Sequence, residues 1–261
     1  MKRIGFAAFP FCIAFIWLAL PATAQPTNYT QGFNDVSDDA SGIFSNGWVF
    51  DNLSNPPPAS TSPTGFWAQG VPAEFGDIAQ AGAPNSFITA TFESGSTSTT
   101  GSAVSDWLLT PELTFENGSV VSFYTEQSHP SATFPNRLQV RLSLNGASTN
   151  VGTQPPGVGS VQPSFGDFTT LLADINPTYL NPPAAGAYPT TWTQESFTIS
   201  GLSAPTTGRI GFLYLLTNNF TQGSQIGIDS FVLVPEPPQV ALLTVGGLAI
   251  LLVTFRRLRP A

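Results

Sequence analysis

Apolar and polar side chains alternate along several short stretches of this chain, most regularly in "RLQVRLSL". Leu138, Val140, Leu142 and Leu144 share one parity and Arg137, Gln139, Arg141 and Ser143 the other, the period of two that a half-buried strand requires. The alternation predicts a sheet strand with one wet face. The runs "SVVSFYT", "SFITATF", "WTQESFTIS", "RIGFLYLL" and "QIGIDSFVLV" are rich in β-branched and aromatic residues and bounded by Gly, Pro, Asn or Ser, so they read as further strands. "RIGFLYLL" is apolar on both parities, as expected for a strand deep in a sandwich. Between these runs, "SNPPPASTSPTG", "SGSTSTTGSAVS", "TQPPGVGSVQPSFG" and "NPPAAGAYPTT" have compositions that cannot bury apolar surface and predict loops. The stretch shows no useful helical period and no internal repeat. The expected fold class is all-β, a two-sheet antiparallel β-sandwich with long loops.

Both ends of the chain break this pattern. At the N-terminus Lys2 and Arg3 precede an apolar core and a small-x-small site, Ala22-Thr23-Ala24, the layout of a secretory signal peptide over residues 1–24 that is cut after Ala24. At the C-terminus the sixteen uncharged residues from Val240 to Phe255 are followed by Arg256, Arg257 and Arg259. As a transmembrane helix they would extend about 24 Å, short of the roughly 30 Å of hydrocarbon in a bilayer. Local thinning and snorkelling arginines let so short a helix span. The positive-inside rule places the arginines in the cytoplasm. The organisation expected is a signal peptide (1–24), an exported domain (25–233) and a C-terminal tail (234–261).

Charge narrows the range of partners. The exported portion has three basic residues, Arg137, Arg141 and Arg209, no lysine, and fifteen Asp plus Glu. Such a balance repels nucleic-acid backbones and favours solubility and cations, so no nucleic-acid partner is expected. The single cysteine, Cys12, lies within the signal segment, which leaves the domain without disulfide, thiol nucleophile or Cys-ligated metal. Its preceding residues "FPF" lack the small residue of a lipoprotein signal. Asn-x-Ser/Thr sequons occur at Asn28, Asn52, Asn117 and Asn219, as chance allows in a chain of this composition, and would matter only in a eukaryotic secretory pathway.

Two resemblances join these observations. The tail, with Pro235-Glu236-Pro237, a short apolar helix over 240–255 and the arginine cluster at 256–259, closely resembles the PEP-CTERM sorting signal of Gram-negative bacteria. The resemblance implies an exosortase-type processing enzyme as partner, which acts near the motif and releases or re-anchors the exported part. It also implies an inner-membrane-anchored precursor that ends at the cell surface or in the extracellular matrix. Within the exported portion, "GFNDV", "GWVFDNLS", "GFWAQG", "SDWLLTPELTFENGSVVSFYTE", "NRLQVRLSLNG", "YPTTWTQESFTISGL", "GRIGFLYLL" and "IGIDSFVLV" follow in order. Together they resemble the choice-of-anchor J domain, which is related to the cleaved adhesin domain. This second likeness implies a β-jelly roll similar in architecture to MAM and galactose-binding-like modules.

Chemistry is sparse. One histidine, His129, stands beside Pro130 without a Gly-x-Ser-x-Gly elbow, so a Ser–His nucleophile is not expected, and phosphate-binding glycine motifs are absent. No catalytic residue is assigned. Glu93, Glu112, Glu116, Glu126 and Glu195 are the carboxylates from which a glycosidase pair could be drawn. Trp67, Phe75, Phe134, Tyr179 and Tyr188 stand in Gly/Pro-rich settings and are candidates for stacking on a sugar ring, whereas Trp48, Trp107 and Trp192 fall in strand motifs and read as core. "FNDVSDDASG" fails as an EF-hand loop, with Ala40 and Asn46 at its sixth and twelfth positions. In jelly rolls of the resembled kind the first and last strands lie side by side, which makes Asn34 or Asp35 and Asp229 candidate oxygen ligands for calcium. Against this stands an Asp229 that merely hydrogen-bonds a neighbouring loop.

The function expected is an exported, non-enzymatic module for adhesion or association with exopolysaccharide in a biofilm matrix. A glycan-active hydrolase using paired carboxylates and a purely structural matrix protein are the alternatives.

Overall fold

A computed structural model of the chain describes residues 28–35, 45–59, 66–98, 100–128, 134–155, 157–159 and 164–235. The expected signal peptide with Ala24, His129, and the tail from Glu236 onward, including Pro237, Arg256, Arg257 and Arg259, lie outside these residues. Among the described residues no helix is long and apolar enough to cross a membrane.

The described strands are β1 (Tyr29–Gln31), β2 (Val49–Asn52), β3 (Ala68–Gln69), β4 (Ile88–Thr91), β5 (Val104–Leu109), β6 (Leu113–Phe115), β7 (Val120–Gln127), β8 (Leu138–Ser143), β9 (Thr170–Ile175), β10 (Thr193–Thr198), β11 (Thr206–Leu216) and β12 (Gln225–Val234). A one-turn helix α1 (Pro72–Phe75) and a 3-10 turn (Phe92–Ser94) interrupt them. Two antiparallel sheets result. The first runs β10-β7-β12-β4-β3, with β1 added to β12, and the second runs β2-β5-β11-β8-β9, with β6 added to β11. Each sheet is built around a long strand. β12 pairs β4 through its first half and β1 through its second, and a bulge with Ser230 at φ 53° separates the halves. The first and last strands do lie side by side, with Gln31 opposite Phe231.

The core forms because alternate side chains of both sheets point inward. Ile210, Phe212, Tyr214 and Leu216 of β11 meet Val121 and Phe123 of β7 and Ile226, Ile228 and Phe231 of β12, all buried. Phe212 packs edge-on against Phe123 with ring centroids 5.0 Å apart, and against Phe231 at 5.9 Å. Burial of each such ring contributes about 2–3 kcal/mol. Trp48 lies in the core between the sheets, and Trp107 is buried in a second cluster on the outer face of the second sheet; Trp192, expected in the core, is instead half-buried on the outer face of the first sheet against Phe75 and Phe87.

The expectation of a wet face on β8 is corrected. All six of its residues are buried, because residues 145–155 and 164–168 fold back over the outer face of the second sheet. There Val151 and Phe168 pack on Trp107, Leu109, Leu213 and Leu215. The polar parity of β8 survives as a covered network. Arg137 makes a bidentate pair with Asp174 at 2.8 and 2.6 Å, and Arg141 lies 3.2 Å from the centroid of the Phe165 ring. Burial lowers the Arg141 pKa to about 10, so it still carries its charge at neutral pH. "RIGFLYLL" is buried on both parities for the same reason: its outer residues Leu213 and Leu215 lie under this covering segment.

Candidate binding cleft

The two sheets meet at one end through the connection between β11 and β12, and here the structure opens a cleft of about 540 Å³. Its walls come from the end of β4 with the 3-10 turn, Thr97 and Ser98 beyond it, Ser128 after β7, Phe134, and the connection from Asn219 to Gln225. Glu74 of α1 closes one side. Three phenylalanines line it while remaining open to solvent, Phe92 at 36%, Phe134 at 43% and Phe220 at 62% exposure. Three solvent-facing aromatic rings around one cleft form a contiguous apolar patch beside polar side chains, the kind of surface at which ligands commonly dock.

Each ring is held by its local structure. The 3-10 turn begins where the Thr91 hydroxyl accepts the Glu93 N–H at 3.1 Å, and it ends on Ser94, which is buried and donates to the carboxylate of Asp106 at 2.6 Å. Asp106 is fully enclosed, and burial pushes its pKa well up. Ser94 thus anchors the turn inward while Phe92 is left on the rim. Asn219 ties that turn to the opposite wall: its side-chain amide donates to the carbonyls of Phe92 and Ser96 at 2.8 and 3.0 Å, and its Oδ1 accepts from the Ser102 N–H. Phe220 follows directly, its N–H held by Asn218 Oδ1 at 2.9 Å. The sequon at Asn219 is therefore spent on internal hydrogen bonds.

The floor rests on a buried polar hub. Asn136 donates to Gln127 Oε1 at 3.1 Å and Ser224 Oγ at 2.9 Å, and its Oδ1 accepts from the Tyr214 hydroxyl at 2.7 Å and the Ser224 N–H at 2.9 Å. A buried amide satisfied on both sides fixes geometry as well as contributing stability. Gly223 crosses this floor at φ +82°, and a Cβ there would lie 2.3 Å from Leu216 Cδ1 and 2.7 Å from Tyr214 Oη. Only glycine fits.

The stacking candidates divide sharply. Phe134 lies on the cleft, but Trp67 and Tyr188 are corrected to core residues, at 0% and 1% exposure. Trp67 donates through Nε1 to the Asp106 carbonyl at 3.3 Å and Tyr188 shares a 2.7 Å hydrogen bond with Thr125; apolar neighbours cover both rings. Phe75 is likewise buried. Tyr179 is half-covered, with the Arg137 guanidinium 5.5 Å from its ring centroid and its hydroxyl bonded to the Leu215 carbonyl, so it is no free platform. Phe92 and Phe220 were not legible beforehand: each is a single phenylalanine in a run that reads as strand or turn. Of the candidate acids, Glu93 lines the cleft, where it is joined by Glu74, while Glu112, Glu116, Glu126 and Glu195 do not.

The candidate calcium ligands each have partners within the protein, and Asp229 hydrogen-bonds a neighbouring loop. Asp229 is buried, with Oδ2 accepting the Ala81 N–H at 3.0 Å and Oδ1 the Ser230 N–H at 2.5 Å, and burial raises its pKa to about 6. Asn34 Oδ1 accepts from Ser86 at 2.6 Å and lies beside Gly82, on the same segment that Asp229 holds. Asp35 turns elsewhere, its carboxylate bonded by Asn46. Among the described residues, no three His, Cys, Asp or Glu side chains gather as a metal site.

No family model matches the chain. No curated protein matches it either. Among solved structures it is similar to the K1 cleaved adhesin domain of Lys-gingipain from Porphyromonas gingivalis W83, at 15% identity and a TM-score of 0.46 over 81% of this chain and 99% of that one. It is also similar to the enzymatically active domain of tailspike protein 4 of bacteriophage CBA120, at 15% identity and a TM-score of 0.35, covering 77% of this chain and 22% of that one. A third likeness is to carbohydrate-binding modules of the β-sandwich superfamily, at 11% identity and a TM-score of 0.34 over 80% and 75%. At such identities the likeness concerns the fold, which hosts many functions, and the cleft is understood from its own residues.

Proposed function

We propose that this chain is a non-enzymatic binding module whose end cleft takes a glycan. One observation carries the proposal: three exposed phenylalanines surround a cleft otherwise lined by Ser, Thr, Asn, Gln and Glu side chains. Sugar rings present apolar C–H faces and polar edges, and this arrangement offers stacking surfaces beside hydrogen-bonding groups. Glycan-array screening followed by calorimetry tests it. Phe92→Ala, Phe134→Ala and Phe220→Ala each weaken binding about three- to tenfold, the range of an aromatic contact. Binding that survives the triple variant would refute the site.

Glu74 and Glu93 on the same cleft support a second possibility, a glycan hydrolase using paired carboxylates. Release of reducing ends from a bound oligosaccharide, lost in Glu93→Gln, would establish it in place of simple binding.

The tail completes the proposal. Exosortase processing at Pro235-Glu236-Pro237 delivers the module to the cell surface or matrix, in adhesion or exopolysaccharide association. β12 ends at Val234 and Pro235 follows directly, which supports a boundary between fold and tail. Calcium held by Asn34 and Asp229 serves here as a stabilising ion. Support comes from a buried Asp229 carboxylate that no arginine side chain meets, with all three arginines of the exported portion engaged elsewhere.

A further inference from the structure

We infer that the cleft selects glycans bearing free amines and rejects acidic ones; this rests on the proposal that it binds glycans at all. Among the described residues positive charge comes from three arginines, all engaged within the fold; His129, which follows Ser128, lies outside the described residues. Arg137 is paired with Asp174. Arg141 lies under the Phe165 ring, bonded to Gln139 and the Phe168 carbonyl. Arg209 donates to the carbonyls of Ala147, Gly47 and Thr110. All three are nearly buried, at 7%, 5% and 9% exposure, and none lines the cleft. No lysine occurs between the signal segment and the tail.

Against this background the cleft displays Glu74 and Glu93, from two separate elements, α1 and the 3-10 turn. A uronate or sulfate entering it would find two like charges and no guanidinium fork, the group that recognises carboxylates and sulfates most effectively. An ammonium on a sugar ring would find two carboxylates. Each solvent-exposed ion pair changes affinity by roughly two- to fivefold, so the pair together is worth about tenfold. Being exposed, the contribution shrinks with added salt. The phenylalanine rings add to it when the cation lies over their faces.

The test uses the full chain and three linear oligosaccharides of equal length: a glucosamine oligomer, its fully N-acetylated counterpart and an oligogalacturonate. Titrations are run at mildly acidic pH, where the sugar amine carries its proton. The glucosamine oligomer is expected to bind about tenfold tighter than the N-acetylated one, with the galacturonate weakest. The ratio should fall toward one in Glu74→Gln/Glu93→Gln and in high salt. A merely structural role for the two glutamates would lower all three affinities and leave the ratio alone. Equal binding of amine and N-acetyl forms, or tighter galacturonate binding, overturns the selectivity while leaving glycan binding in place. Failure of all three oligosaccharides and of the glycan array to bind overturns the glycan proposal itself.

Discussion

Replacing Glu126 by glutamine is expected to stabilise the protein at alkaline pH and to do nothing at acid pH. Glu126 lies on β7 opposite Gly227 of β12, and a Cβ at Gly227 would meet the Trp192 and Phe75 rings. Those rings cap the outer face of the sheet here. The Glu126 side chain is fully buried beneath this cover, and neither carboxylate oxygen has a hydrogen-bond partner. Burial, with a smaller contribution from the negative charge of Asp77, pushes its pKa from 4.5 to about 8; the nearby backbone N–H of Trp192, which falls short of hydrogen-bond geometry, opposes this only weakly. The folded protein therefore keeps a proton that the unfolded chain releases near pH 4.5, so stability falls as pH rises between the two values. A shift of that size corresponds to about 5 kcal/mol at 1.36 kcal/mol per unit. Water entry and local relaxation reduce this to about 2–3 kcal/mol. Glutamine keeps the shape without the charge. Urea unfolding of both proteins at pH 4, 6 and 9 should show curves that coincide at pH 4 and a variant ahead by about 2–3 kcal/mol at pH 9. A difference that does not change with pH, or a wild type that gains on the variant as pH rises, would refute the reasoning.

Other consequences follow from the same structure. Asn136→Ala removes the hub under the cleft and leaves Tyr214 and Gln127 without their partner; a loss of about 2–4 kcal/mol in urea unfolding, together with loss of glycan binding, is expected. If calcium is held at Asn34 and Asp229 as proposed, added calcium is expected to raise the melting temperature with concentration, EGTA to reverse the rise and Asp229→Ala to abolish it; a wild type indifferent to both reagents excludes the site. Deleting residues 235–261 should leave the melting temperature of the sandwich unchanged but redirect the protein, as fractionation of the producing cells would reveal.

Local pattern marked most of the long strands but not all of them: β5 begins at Val104, inside the loop-like "SGSTSTTGSAVS" whose last residues are buried, and β9 lies outside every run that reads as a strand. The alternation of "RLQVRLSL" and the doubly apolar "RIGFLYLL" correspond to β8 and β11, because a strand's two faces follow from the pleat alone. Pattern did not determine which face meets water. The polar parity of β8 lies buried because residues 145–155 and 164–168 return over it, a closure that no local window contains. The cleft depended on tertiary structure still more. Phe92 stands at the end of "SFITATF", on the parity of Ile88 and Ala90, yet the 3-10 turn reverses it outward. Trp67 and Tyr188, in equally loop-like company, go to the core. What separates them is contact between residues far apart in sequence. Asn219 reaches Ser102 across 117 positions, and Asn136 reaches Ser224 across 88. Burial is a property of the closed fold, whereas periodicity is a property of the chain.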